Sequence, residues 1–222
     1  MAAITWYLTN SAASVHSDMS ETDPGTEAFR SPVTGWVVST GSTNRSEWFN
    51  DIERAASTFV GTTVPDGSID TTNGDCWRST NTYSGDFASA NWVLSFCCRA
   101  NTNGGTQDGL IYCRLFRSAN ADGSSATEIT AAAQAGTAIT DLNTTTQTST
   151  VTFNPGAFTV TGEYIFLQLA WERTGAGGMT TSDVNARIGN ASGAGSRVVS
   201  ANFTAAAVTP FPNALAMMGQ GV

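Results

Sequence analysis

The sequence predicts an all-β fold: an antiparallel β-sandwich of jelly-roll type with extended N- and C-terminal segments. Three observations predict it. Apolar residues recur with a period of two in short runs, as in strands with one buried face. Clusters of Gly, Asn, Asp and Pro separate the runs at short spacing. One run, from Tyr164 to Trp171, is apolar at nearly every position and is interrupted only by Gln168. That composition suits a central strand covered on both faces. Many short strands with turn signals between them point to a sandwich or barrel.

The first strand is expected at residues 4–8 and another at 35–40. Residues 47–56 have helical spacing at Trp48, Ile52 and Ala55, with Ser46 as N-cap, and predict one short helix. In "NWVLSFCCRA", Trp92, Leu94, Phe96 and Cys98 alternate onto one face. After the Gly-rich loop "NTNGGTQDG", Ile111, Cys113 and Leu115 do the same, with Tyr112, Arg114 and Phe116 opposite. The two runs read as a hairpin. "ATEITAAAQAGTAI" suits a short helix or a loop. Val151 and Phe153 precede a Pro155-Gly156 turn, and Phe158 and Val160 precede a second turn at Thr161-Gly162. Further strands are expected at 183–188 and 197–203.

The chain divides into an N-terminal strand and irregular arm (1–60), a sandwich core (61–205) and an uncharged tail (206–222). The reading leaves open whether the first strand belongs to the sandwich. A length of 222 residues is enough for one large β domain. Charged residues make up 13%, about half the usual share, and the net charge is −8. All ten basic residues are Arg, spread singly. Nucleic-acid binding needs clustered cations, so that class is set aside. No window of about 18 apolar residues exists, so no membrane-spanning helix is expected. "MAAITWYLTN" lacks the cationic start of a signal peptide, which predicts synthesis in a host cytoplasm.

No catalytic set, cofactor site or metal site emerges from the spacing of the reactive residues. Cys97 and Cys98 are adjacent and point to opposite faces, unlike the Cys-X2-Cys spacing of zinc knuckles. Cys98 and Cys113 face each other across the expected hairpin and form the candidate pair for a late disulfide; the plainer reading is space-filling side chains in a core. His16, the single histidine, is expected on the surface or in a loop, far from the thiols. Asp66, Asp70, Asp75 and Asp86 do not match the twelve-residue calcium loop; a sandwich-edge calcium site and ordinary turn chemistry both remain open for them. Glu163 and Glu172, nine residues apart on one strand, do not face one cleft as a glycosidase pair must. Among the six tryptophans, Trp92 and Trp171 read as core, while Trp48 and Trp77 are the candidates for exposed aromatic contacts with a ligand.

The stretch "NWVLSFCCRANTNGGTQDGLIYCRLFRSANADGSSATEIT", the later "TSTVTFNPGAFTVTGEYIFLQLAWERTGAGGMTTSDVNARIG" and the segment "PDGSIDTTNGD" resemble a group of tailed-bacteriophage virion proteins. The resemblance covers roughly residues 60 to 190. It implies a β-sandwich protein without enzymatic activity or cofactor, located in the virion. The expected role is a decoration or cement protein on the head exterior. Its expected partners are the major capsid protein and copies of itself, with no nucleic acid or membrane. A carbohydrate- or receptor-binding module of the tail is the alternative, with a glycan or host receptor as partner. A tail-tube or connector protein is a further one.

Overall fold

The computed structural model describes residues 2–13, 15–25, 28–30, 45–48, 68–69, 71, 76–100, 107–173, 184–188 and 195–207. The expected strand at 35–40, most of the expected helix, and the tail beyond Ala207 lie outside the described residues. All regular structure among the described residues is β. The strands run β1 (Ala2–Ala13), β2 (His16–Ser20), β3 (Ala28–Arg30), β4 (Arg45–Trp48), β5 (Cys76–Ser79), β6 (Tyr83–Phe87), β7 (Trp92–Ala100) and β8 (Gln107–Ser118). They continue with β9 (Thr127–Glu128), β10 (Gln134–Ala135), β11 (Ile139–Leu142), β12 (Gln147–Phe153), β13 (Phe158–Arg173), β14 (Val184–Ile188) and β15 (Arg197–Ala205).

These strands form one hydrogen-bonded network. Its main path runs β8–β13–β5–β2–β1–β15–β7, and β12 pairs with the far side of β7. The path then returns on itself: Thr137 N donates to Thr150 O of β12 at 2.9 Å, and Gly136 N donates to Ile111 O of β8 at 2.8 Å. β6 closes a smaller circuit, pairing with β13 on one edge and β15 on the other. Such closure hides strand edges that would otherwise recruit other chains. β2 with β5 is the one parallel pair among the described strands.

A two-stranded ribbon carries the chain from one side of the core to the other. β12 pairs with β7 so that Phe153 lies opposite Trp92. β13 pairs with β6 so that Phe158 lies opposite Phe87. Four residues intervene on each strand (154–157 and 88–91), so the register is unbroken across the gap. Pro155-Gly156, expected as a turn, forms one half of this corner. Gly156 takes φ +82° there. The second expected turn, Thr161-Gly162, is a bulge inside β13, where the register with β6 shifts. Gly162 takes φ +65°, its N–H bonds Ser84 Oγ, and Arg117 bridges to Glu163.

The main core lies inside the closed circuit. Trp6, Leu8, Met19, Trp92, Leu94, Phe96, Ile111, Leu115, Val151, Leu167 and Trp171 fill it. Trp6 stacks on Trp92 at 5.7 Å, and Phe87 touches Trp92, Phe158 and Phe203 at 4.6–5.1 Å. A second cluster, Cys76, Phe116 and Phe166, covers the outer side of β5, β8 and β13. With core on both faces, β13 from Ile165 to Trp171 is wholly buried, as its near-continuous apolar run predicts.

Two expectations are corrected. β7 and β8 are not a hairpin: β7 pairs with β12, β14 and β15, and β8 with β9, β10, β11 and β13. Both strands turn the predicted faces inward, but they do so from different parts of the circuit. The helix expected at 47–56 begins in a strand, since Glu47 and Trp48 pair with Trp171 and Ala170 of β13. Whether the first strand belongs to the sheet is open in the sequence; β1 joins β15 to β2 and is part of it.

Candidate functional site

The reactive side chains are spent on packing. All four cysteines are free and buried. Cys98 and Cys113 sit in the main core on strands that do not pair, so the candidate disulfide is absent. Burial pushes both thiols well above the ordinary range, and for Cys98 the neighbouring Cys97 adds to it. A thiol held protonated is a poor nucleophile. Cys97 lies 3.4 Å from Thr148 Oγ1 on the other side of β7.

Trp77, expected to be exposed, is only 1% exposed. β5 alternates, so Trp77 points into the main core while Cys76 and Arg78 point outward; its indole N–H donates to Thr9 O at 3.2 Å. Trp6, Trp92 and Trp171 are core as well. Trp48 closes β4 beside Ala170. Of the aspartates considered for calcium, Asp86 is described: it is exposed and accepts from Thr159 Oγ1 at 2.6 Å. Asp66, Asp70 and Asp75 lie outside the described residues. No group of three potential metal ligands occurs among the described residues.

His16 is fully buried, contrary to the surface position expected for it. Its Nε2 lies 2.9 Å from Asp122 O, and its ring meets Phe166 edge-on at 5.4 Å. Arg78 stands beside it, donating to Ala121 O at 3.1 Å and to Asp18 Oδ1 at 3.3 Å, with its guanidinium over the Tyr164 ring. Together they pin the turn that follows β8 onto β2 and β5. Burial raises the Asp18 carboxyl above its usual value, against the opposing pull of Arg78. Backbone and side-chain bonds from Ser124 lower that of Asp122. Sequence spacing has no signal for this cluster, since His16 and Asp122 are 106 residues apart.

Two surface features stand out among the described residues. The first is a groove of about 280 Å³ lined by Thr9, Asp18, Ser20, Thr22, Asp23, Pro24 and Thr80. The second is the outer face of the adjacent strands β1, β15, β7 and β12. Register places Thr5, Val199, Val93 and Thr152 in one row across it, and Tyr7, Arg197, Ser95 and Thr150 in the next. Neither row contains a carboxylate. Six of these eight side chains have neither a charge nor an aromatic ring, and all but Thr152 are half-buried.

No protein-family model matches this chain, and no curated protein matches it.

Proposed function

We propose that this protein is a non-enzymatic structural component of a tailed-phage virion: a decoration protein that sits on the head exterior as an oligomer and clamps the major capsid protein. The observation that carries the reading is the carboxylate-free outer face of β1, β15, β7 and β12 in a chain of net charge −8. Rows in which seven of eight side chains are uncharged are cheap to desolvate, because few ions must leave water. The acidic side chains described elsewhere (Asp18, Glu21, Asp86, Asp122) are off these two rows. The resemblance of residues 60 to 190 to virion proteins supports the same reading.

Two further points agree. Buried thiols with raised proton affinity, together with a buried His16, leave those groups to packing and not to reaction. The closed strand circuit suits a particle exposed to proteases and denaturing surroundings, because it offers few open edges. The test is to mix purified protein with undecorated capsids and follow co-sedimentation and shell melting. Binding with a higher shell melting temperature is expected. A protein that neither binds nor stabilises shells overturns the proposal. A particle image with the chain on the tail replaces it by the tube or connector reading.

A further inference from the structure

The groove beside β2 gathers polar side chains from three parts of the chain. Asp18 and Ser20 project from β2, Thr9 from β1, and Thr80 follows β5; the connection after β2 supplies Thr22, Asp23 and Pro24. Asp18 gives one oxygen to Arg78, at 3.3 Å. Asp23 Oδ1 accepts from Gly25 N at 2.9 Å. Ser20 Oγ accepts from Thr22 N at 3.0 Å and keeps its own proton to donate. Asp18, Asp23, Ser20, Thr22 and Thr80 thus place carboxyl and hydroxyl groups around one groove.

The walls are held in place before any ligand arrives. Glu21 accepts from Tyr83 Oη at 2.6 Å and from Asn81 Nδ2 at 3.5 Å. Thr80 N donates to Met19 O at 3.1 Å, which fixes the opposite rim. Such preorganisation lowers the ordering cost of binding.

The donor set discriminates among ligands. Two carboxylates repel an anion. Calcium takes six to eight oxygens, and here the Arg78 cation already occupies one of the two carboxylates. A neutral ligand with adjacent hydroxyls meets both needs: its O–H groups donate to Asp18 and Asp23, and its oxygens accept from the serine and threonine hydroxyls. The Pro24 ring offers an apolar surface to C–H groups. A volume near the lower end for small-molecule sites, about 300 Å³, admits one sugar ring and not a long chain.

We propose that this groove is a subsite for a single neutral pyranose, free or as the terminal residue of a surface glycan. The subsite adjoins the proposed docking face, since Ser20 pairs with Tyr7, but its own binding stands whether or not capsid binding is found. The test is an amide-resolved NMR titration of the whole protein with methyl α-glucopyranoside, methyl β-galactopyranoside and methyl N-acetyl-β-glucosaminide, each up to about 100 mM, which saturates a site of millimolar Kd. At least one probe is expected to shift the amides of Thr22, Asp23, Gly25 and Thr80 saturably. The double variant Thr22→Val, Thr80→Val, folded by its spectrum, is expected to bind at least tenfold more weakly. Three outcomes each overturn the proposal: no saturable shift with any probe, unchanged affinity in the double variant, or saturable shifts of the same amides by calcium chloride alone. Terminal glycan recognition, tested on glycan-coated beads, follows only if a monosaccharide binds.

Discussion

The Trp6 indole N–H donates to the Tyr83 hydroxyl at 2.8 Å, and Tyr83 donates onward to Glu21 Oε1 at 2.6 Å. A fully buried ring on β1 is thereby connected to the exposed connection after β2. Replacing Tyr83 by Phe keeps the ring packing on Trp6 and Phe203 but removes the acceptor for a buried N–H. An unsatisfied buried donor costs about 1–3 kcal/mol. For a chain of this size each kcal/mol lowers Tm by about 2–4 °C. Tyr83→Phe is therefore expected to melt several degrees below the parent, whereas Glu21→Gln, which keeps an acceptor, melts close to it. Equal melting of Tyr83→Phe and the parent in calorimetry contradicts the role assigned to this chain of bonds.

Alkaline pH probes three of the buried groups at once. Cys98 and Cys113 hold their protons more tightly in the folded chain than the ordinary thiol value of 9.0 allows, through burial. Tyr83 does so relative to 10.0, through burial first and then Glu21. A folded state that binds protons more tightly than the unfolded state loses stability as pH rises. The contribution is complete below about pH 9 and is lost progressively above it. Urea midpoints measured from pH 7 to 10.5 are expected to be level at first and then to fall. In the same window a thiol reagent is expected to leave Cys98 and Cys113 unmodified until denaturant is added. Rapid modification of either residue in the native protein places it at the surface and rules out the packing described.

The strand content was legible because its signal is local. Alternation put Trp92, Leu94, Phe96 and Cys98 on one face, and all four are core; the apolar run through β13 marked a strand buried on both sides. Pairing was not legible, because hairpin logic uses only sequence distance. The chain pairs β7 with β12 about fifty residues on, and leaves β8 to β13. Trp77 and His16 were misplaced for a related reason. Each sits in a short polar stretch whose burial comes from distant partners: Thr9 for Trp77, and Asp122 and Phe166 for His16. The groove had no sequence signature, since its lining comes from β1, from β2 with its following connection, and from the residue after β5.

Gly85 and Gly156 separate steric from torsional demands. Both have positive φ, +145° and +82°. A Cβ on Gly85 would lie 2.1 Å from Thr204 O and 2.9 Å from Ala205 Cα, both backbone atoms of β15. β6 cannot then stay between β13 and β15 without moving one of them. A Cβ on Gly156 meets nothing within 4 Å, so only the left-handed backbone opposes it. Gly156→Ala is expected to cost about 1–2 kcal/mol. Gly85→Ala is expected to cost clearly more and to expose the amides of residues 83–87 to hydrogen exchange. Similar losses in the two variants argue against β6 being gripped on both edges.

The outer rows of β1, β15, β7 and β12 make a prediction that separates docking from folding. Thr152 is exposed and lies opposite Val93; Thr148, four residues back on the same face, is exposed opposite Cys97. Carboxylates there face water in the free protein, so Thr148→Glu and Thr152→Glu are expected to change stability by no more than about 0.5 kcal/mol. Against a docked protein surface each brings a charge that must be desolvated without a partner, which costs several kcal/mol. Capsid binding is expected to weaken at least tenfold in either variant and further in both combined. Thr144→Glu, in the exposed connection between β11 and β12, is the control and is expected to bind as the parent does. If the strand variants bind capsids like the control, the contact lies on another face. If all three bind equally poorly, added negative charge is acting at long range, which raising the ionic strength reverses.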